Sequence, residues 1–223
     1  MTKDKHEKTN SVTQGWLLTY NIAMMAGWLA IGIGMFMHVW KHRTIKGLYI
    51  QMQRQLLFFQ TCALFEILHA AIGIVRSNVI LTTVQVFSRV GLLWMIVEPV
   101  YQVQDSISVA MFMVAWTITE IIRYGFYTFH LLGSSPFPIV WLRYTLFIVL
   151  YPLGVTGELL TIYKSLPFVA DGNIYSVSMP NAANFSFSYY YALIGLFPIY
   201  FTGFHNYTST CLDKGKKLCL QTK

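Results

Sequence analysis

The sequence predicts an all-α membrane protein built as a single six-transmembrane-helix bundle, and three observations carry that expectation. Apolar runs of about 20 residues recur along nearly the whole chain, each long enough to cross a hydrocarbon layer ~30 Å thick. Of the 223 residues, 55% are hydrophobic and only 11% charged, against roughly 25% charged in an average soluble domain, so a water-soluble surface cannot be built. The ionisable residues that remain stand largely inside the apolar runs, at helical spacing.

In chain order, a polar tail over 1–15 with Lys3, Lys5 and Lys8 precedes the first helix, 16–40. That helix is too apolar for too long to be a signal peptide, whose core is about 7–15 residues, and no small-residue cleavage site follows it. It is read as retained. Further helices are expected at 56–76, 79–101, 106–130 and 139–163. Pro167, Gly172 and Pro180 make 165–186 a loop or interfacial turn. The sixth helix is 187–207, and 208–223 is a second tail. Neither an internal repeat nor a soluble domain is evident, so one transmembrane domain over 16–207 accounts for the chain.

The net charge of +7 does not indicate nucleic acid, because the cations are spread over termini, short loops and the helices themselves. Anionic lipid and an anionic substrate are the better partners. With the N-terminus in the cytosol, that side receives Lys3, Lys5, Lys8, Arg76, Arg143, Lys214, Lys216, Lys217 and Lys223, and the other receives Lys41, Arg43, Lys46, Arg54 and Lys164. The bias places both termini in the cytosol, against the basic first loop. Cys62, Cys211 and Cys219 suit neither a disulfide framework nor zinc. The sequons at Asn184 and Asn206 fit this topology poorly and are read as chance matches.

Ionisable side chains in a bilayer core are costly unless paired or facing a wet cavity, so each marks a candidate site. Glu66 and His69 are three apart, with Arg76 seven further on. Gln85 and Arg89 are four apart. Glu120, Arg123, Tyr124 and Tyr127 share one helical face, and Tyr144, Tyr151 and Glu158 repeat every seven residues. Four helices thus present polar stripes to a shared interior. For the Glu and Arg residues of the second to fourth helices, interhelical glue by mutual neutralisation is the structural alternative. His69, without companions at ligand spacing, is not a metal candidate, and no metal is expected.

The fifth helix differs. In Tyr151-Pro-Leu-Gly-Val-Thr-Gly-Glu158, Pro152 removes a backbone donor and invites a kink, while Gly154 and Gly157 let a ligand or a neighbouring helix approach. Tyr151 and Glu158 lie two turns apart on one face, roughly 10 Å along an ideal axis. A carboxyl and a phenol so placed can exchange protons with one small reacting group. From the residues alone, three readings stay open: a membrane-embedded acid/base site, a proton relay, or packing glue.

The run from Arg143-Tyr144 through Tyr151-Pro-Leu-Gly-Val-Thr-Gly-Glu158-Leu-Leu-Thr-Ile-Tyr163 closely resembles the signature of the very-long-chain 3-hydroxyacyl-CoA dehydratases, also called protein tyrosine phosphatase-like proteins. Glu66-Ile-Leu-His69, Gln85-Val-Phe-Ser-Arg89, Ala115-Trp-Thr-Ile-Thr-Glu120-Ile-Ile-Arg123-Tyr124 and Ser186-Phe-Ser-Tyr-Tyr-Tyr191 match in the same order. The resemblance implies six transmembrane helices, no cofactor, and dehydration of (3R)-3-hydroxyacyl-CoA to trans-2-enoyl-CoA, the third step of fatty-acid elongation in the endoplasmic reticulum. It implies Tyr151 and Glu158 as catalytic residues, and the condensing enzyme and reductases of the cycle as partners. Phosphatase chemistry is excluded, because Ala70 stands where a cysteine nucleophile would precede Arg76. Lys216-Lys217 are not at the offset of a dilysine retrieval signal.

Dehydration removes a proton from C2 and delivers one to the departing C3 hydroxyl. The working assignment gives the C2 proton to Tyr151, activated by Arg143 or Arg89, and the departing hydroxyl to Glu158; the sequence leaves the reverse open. Arg76, Arg89, Glu120, Arg123, Arg143 and Tyr144 are candidate substrate-binding residues, with Arg76 and Arg143 placed for the CoA phosphates or, alternatively, for lipid headgroups. The rival reading is a catalytically silent membrane scaffold of the same fold. A proton-coupled transporter is weakened by the lack of inverted repeats.

Overall fold

A computed structural model describes residues 11–75, 77–134, 136–172, 174–177, 186–198 and 200. Helix α1 (Ser11–His42) has 32 residues, roughly 48 Å at 1.5 Å per residue, so it outruns the hydrocarbon layer. After a turn closed by Gly47 in the left-handed region (φ 74°), α2 (Leu48–Cys62) and α3 (Leu64–Ala71) follow, joined at Ala63. Helix α4 (Val79–Gly91) starts at Asn78, whose side chain accepts from the Leu81 amide, and widens into a π-helical segment, Leu92–Val97. A 3₁₀ turn, Tyr101–Val103, leads to α5 (Ile107–Leu131), capped by Ser106. Helices α6 (Phe137–Thr145) and α7 (Phe147–Gly172) complete the long elements. Val177 and Phe187 form an isolated antiparallel bridge ahead of helical residues 189–198.

Helix α5 is the central element, packed along α7 on one side and α1 on the other. Trp28, Ile31, Leu56, Leu93, Val97, Phe112, Met113 and Ile162 form the buried core between them. Large apolar side chains such as Ile33, Phe58, Ile80, Ile148 and Tyr163 point outward, as a lipid-facing surface requires. Gly47 donates its amide to Asp105 at 2.7 Å and Lys164 donates to Ser106 at 2.7 Å, so the α1–α2 turn, the start of α5 and the far part of α7 share one end. At the other end Gln14 donates to the Leu131 carbonyl.

The described residues are thus helical apart from turns and the Val177–Phe187 bridge, and apolar enough for a membrane protein, but the expected six spans are not reproduced among them. Besides the helical stretch 189–198, the described residues form the seven helices α1–α7, and four segments are long and apolar enough to cross a membrane: Ser11–His42, Val79–Val97, Ile107–Leu131 and Phe147–Gly172. The expected helix 56–76 begins earlier and is divided at Ala63. The expected helix 139–163 is divided at Leu146, whose carbonyl accepts from both Val149 and Leu150. That division falls just ahead of Ile148, whose carbonyl the Pro152 ring crowds. Nor is 165–172 a loop: α7 runs through Pro167 to Gly172. Side chains also bond to the backbone along this stretch, Thr161 to the Gly157 carbonyl and Ser165 to that of Ile162. The two tails beyond residues 11 and 200, and the sequons at Asn184 and Asn206, lie outside the described residues.

Candidate active site

The site is set by the contact between α5 and α7. A Cβ at Gly157 would lie 2.8 Å from the Phe112 amide nitrogen and 2.8 Å from the Ser108 carbonyl oxygen, whereas one at Gly154 would make ordinary contacts, with the Ala115 side chain at 3.5 Å and Trp116 Cδ1 at 3.9 Å. Of the two uses a glycine pair allows, the fold takes the approach of a neighbouring helix. With the backbones so close, Glu158 turns into α5 and is buried (6% exposed). The Trp116 indole N–H donates to its Oε1 at 2.8 Å. The Tyr200 hydroxyl is a further neighbour of the Glu158 carboxyl, on the side of Ser88 of α4.

Tyr151 lies two turns earlier on α7, half-buried and stacked on Phe147 with ring centroids 4.8 Å apart. On α6, the Arg143 guanidinium lies 4.2 Å from the centroid of Phe126 and 5.3 Å from that of Tyr127. Its Nη1 is buried without a hydrogen-bond partner among the described residues, which leaves a donor near the apolar ring faces.

Beyond Trp116 the polar stripes meet. The Arg89 guanidinium lies 5.4 Å from the Trp116 ring centroid and pairs with Glu120. Arg123 donates to Glu120 through Nε at 2.9 Å and Nη2 at 2.5 Å, and reaches Glu66 on α3 at 2.7 Å through Nη2. The Tyr124 hydroxyl donates to Glu66. Two carboxylates and two guanidiniums balance one another, which is the satisfied arrangement a buried ionic network needs. Glu158 stands beside this network, linked to it through Trp116.

Of the residues expected to converge, Glu66, Arg89, Glu120 and Arg123 meet in one network with Glu158 beside it, and Tyr151 is half-buried against Phe147. Gln85 does not join them: its side chain is exposed. It stands one turn before Arg89 on the same helix, facing outward. Glu98 also lies apart, accepting from the Tyr49 hydroxyl at 2.6 Å and the Gln53 amide at 2.9 Å. His69 is a packing residue, accepting from the Trp16 indole at 2.9 Å and set edge-on to Tyr20. Arg76 and the Tyr144 side chain lie outside the described residues. Trp116 and Tyr200 are the contacts of Glu158 that sequence reasoning missed. Trp116 had a signal, standing four residues before Glu120 on the same face; Tyr200 had none beyond its place in the sixth apolar run.

Residues 60–219 match the family model described as protein tyrosine phosphatase-like protein, PTPLA. A very-long-chain (3R)-3-hydroxyacyl-CoA dehydratase 2 from Mus musculus is 54% identical over 85% of this chain and 75% of its own length. The Homo sapiens protein of that name is 56% identical over 80% of this chain and 70% of its own. The Caenorhabditis elegans very-long-chain (3R)-3-hydroxyacyl-CoA dehydratase hpo-8 is 39% identical over 92% and 94%. No solved structure matches.

Proposed function

We propose, from the premise that this chain belongs to the protein tyrosine phosphatase-like family, that it is a lyase acting on long and very-long-chain (3R)-3-hydroxyacyl-CoA. It removes water to give trans-2-enoyl-CoA, the third step of fatty-acid elongation, as the names of its relatives indicate. The observation that supports a site is the placement of Tyr151 and Glu158 two turns apart on α7, with Glu158 buried against α5.

In the mechanism we assign, the Tyr151 oxygen, activated as phenolate by Arg143 or Arg89, takes the C2 proton, and the electrons of that C–H bond form the C2–C3 double bond. The carboxylic acid of Glu158 gives its proton to the C3 hydroxyl, and the C3–O bond breaks to release water. After water leaves, the Tyr151 hydroxyl returns a proton to the Glu158 carboxylate, so that both groups are restored. Substrate thioester chemistry acidifies C2, and the protein contributes position and the exclusion of bulk solvent. Arg143 is the candidate anchor for a CoA phosphate, since a guanidinium with an unused buried donor suits a phosphate oxygen. Arg89, Glu120 and Arg123 are assigned to holding the site rather than to touching substrate, and Arg76 and Tyr144 remain candidates for substrate contact. The enzyme is assigned to the endoplasmic-reticulum membrane with both termini cytosolic, a transmembrane domain over 16–207, and the condensing enzyme and reductases of the cycle as neighbours.

The test is turnover of purified full-length protein on 3-hydroxyacyl-CoA, followed by enoyl product. Tyr151→Phe and Glu158→Gln nearly preserve volume and each remove a proton-transfer function; each should lower kcat by at least ~10²-fold. The double variant should be little worse than the poorer single one. Wild-type kcat in either single variant removes that residue from the chemistry.

A further inference from the structure

A carboxylic acid has two oxygens, and a reaction that needs its proton at one place must decide which oxygen holds it. At Glu158 one oxygen is already committed. The indole N–H can only donate, and it points at Oε1 from 2.8 Å with both side chains buried. In the neutral acid the carbonyl oxygen is the better acceptor, so an N–H at Oε1 leaves the hydroxyl on Oε2.

Three features hold the indole in that pose. Trp116 projects from the central helix α5 and is itself 2% exposed. Arg89 lies 5.4 Å from its ring centroid, anchored in turn by Glu120. Phe112, one turn earlier, packs against it with centroids 4.7 Å apart. The glycine contact at Gly157 brings the Glu158 backbone near enough for the bond to form. The other neighbour of the carboxyl, the Tyr200 hydroxyl, can either donate or accept and so follows the choice the indole makes.

We propose that Trp116 is a positioning residue that keeps the transferable proton of Glu158 on Oε2, directed at the C3 hydroxyl of the substrate. The role rests on the dehydratase reading above. When the Oε2–H bond breaks, the proton joins the departing hydroxyl as water, and the carboxylate left behind keeps the indole hydrogen bond at Oε1. Trp116 itself gains and loses nothing.

The experiment is a double-mutant cycle in kcat between Trp116→Phe and Glu158→Gln, on purified full-length protein with 3-hydroxyacyl-CoA. Alone, Trp116→Phe should lower kcat by about 10- to 100-fold, the usual effect of removing a partner that orients a reacting group, with KM within about two-fold. In the Glu158→Gln background the same change should cost less than about two-fold, because the group it orients is gone. A purely structural tryptophan would cost the same factor in both backgrounds, and that result overturns the proposal, as does wild-type kcat in Trp116→Phe. Should Trp116→Phe fail to fold, benzothienylalanine at position 116 replaces the N–H by sulfur at nearly equal shape and is read the same way. The two readings separate: an impaired Glu158→Gln with an unaffected Trp116→Phe overturns only the positioning role, whereas an unimpaired Glu158→Gln overturns the catalytic assignment beneath it.

Discussion

At Glu120 a single buried carboxylate meets two guanidiniums, Arg89 from α4 and Arg123 one turn along its own helix. Removing it leaves Arg89 without its carboxylate and Arg123 with Glu66 alone. Breaking a buried pair from one side costs about 3–5 kcal/mol, so Glu120→Ala should lower the thermal unfolding midpoint in detergent by many degrees, while Gln85→Ala, at an exposed side chain, should stay within about 0.5 kcal/mol of wild type. Equal midpoints would mean that the network is not what holds α3, α4 and α5 together. These residues differ in how far the sequence disclosed them. Glu66, Glu120 and Arg123 were legible because charge inside an apolar run is conspicuous and the helical period puts them on common faces. Gln85 obeyed the same period and still faces outward, since a shared face says nothing about which neighbour covers it. Trp116 escaped notice because an indole in an apolar run looks like core until its N–H is seen to point at a carboxyl.

The decisive element contact is the crossing of α7 on α5 at Gly157. A methyl group there would stand 2.8 Å from two backbone atoms of α5, which only a displacement of one helix can relieve. Gly157→Ala is therefore expected to cost about 1–3 kcal/mol and to lower kcat by drawing Glu158 away from Trp116, whereas Gly154→Ala meets an ordinary contact at 3.5 Å and should be tolerated. Thermal midpoints and turnover of the two variants side by side test this, and equal behaviour would contradict the close crossing. The glycines were visible in the sequence as permission for closeness, but not what comes close, which depends on a second helix far away in the chain. Helix ends were harder still. Pro167 looks like punctuation, yet α7 passes through it as far as Gly172, because in an apolar surrounding the backbone has no better partner than itself.

For the molecule as a whole, the outward apolar residues and the four long segments support insertion into a bilayer, and the distribution of Lys and Arg then favours one of two orientations. The Gly47–Asp105 and Lys164–Ser106 hydrogen bonds gather Lys41, Arg43, Lys46 and Lys164 near one end of the bundle, the end assigned away from the cytosol. Tags at the two termini should both be cleaved by protease added to sealed microsomes. Protection of either tag would mean that the basic first loop, not the termini, sets the orientation. The bilayer itself was legible from composition alone. The number of crossings was not, because 56–76 and 139–163 are apolar enough to read as single helices, and their divisions at Ala63 and Leu146 arise from backbone bonding that composition does not record.

The widened turn at Leu92–Val97 acts on this same whole-molecule scale. Arg89 and Glu98 are nine positions apart, and an ideal α-helix would rotate roughly 900° over that distance, setting them back to back. The extra residue carried by the π segment withholds about one residue's share of that rotation, roughly 100°. One unbroken rod thereby addresses α5 with Arg89 and α2 with Glu98. It behaves as a keyed shaft: the angular offset is cut into the rod, so its two ends engage their neighbours together or not at all.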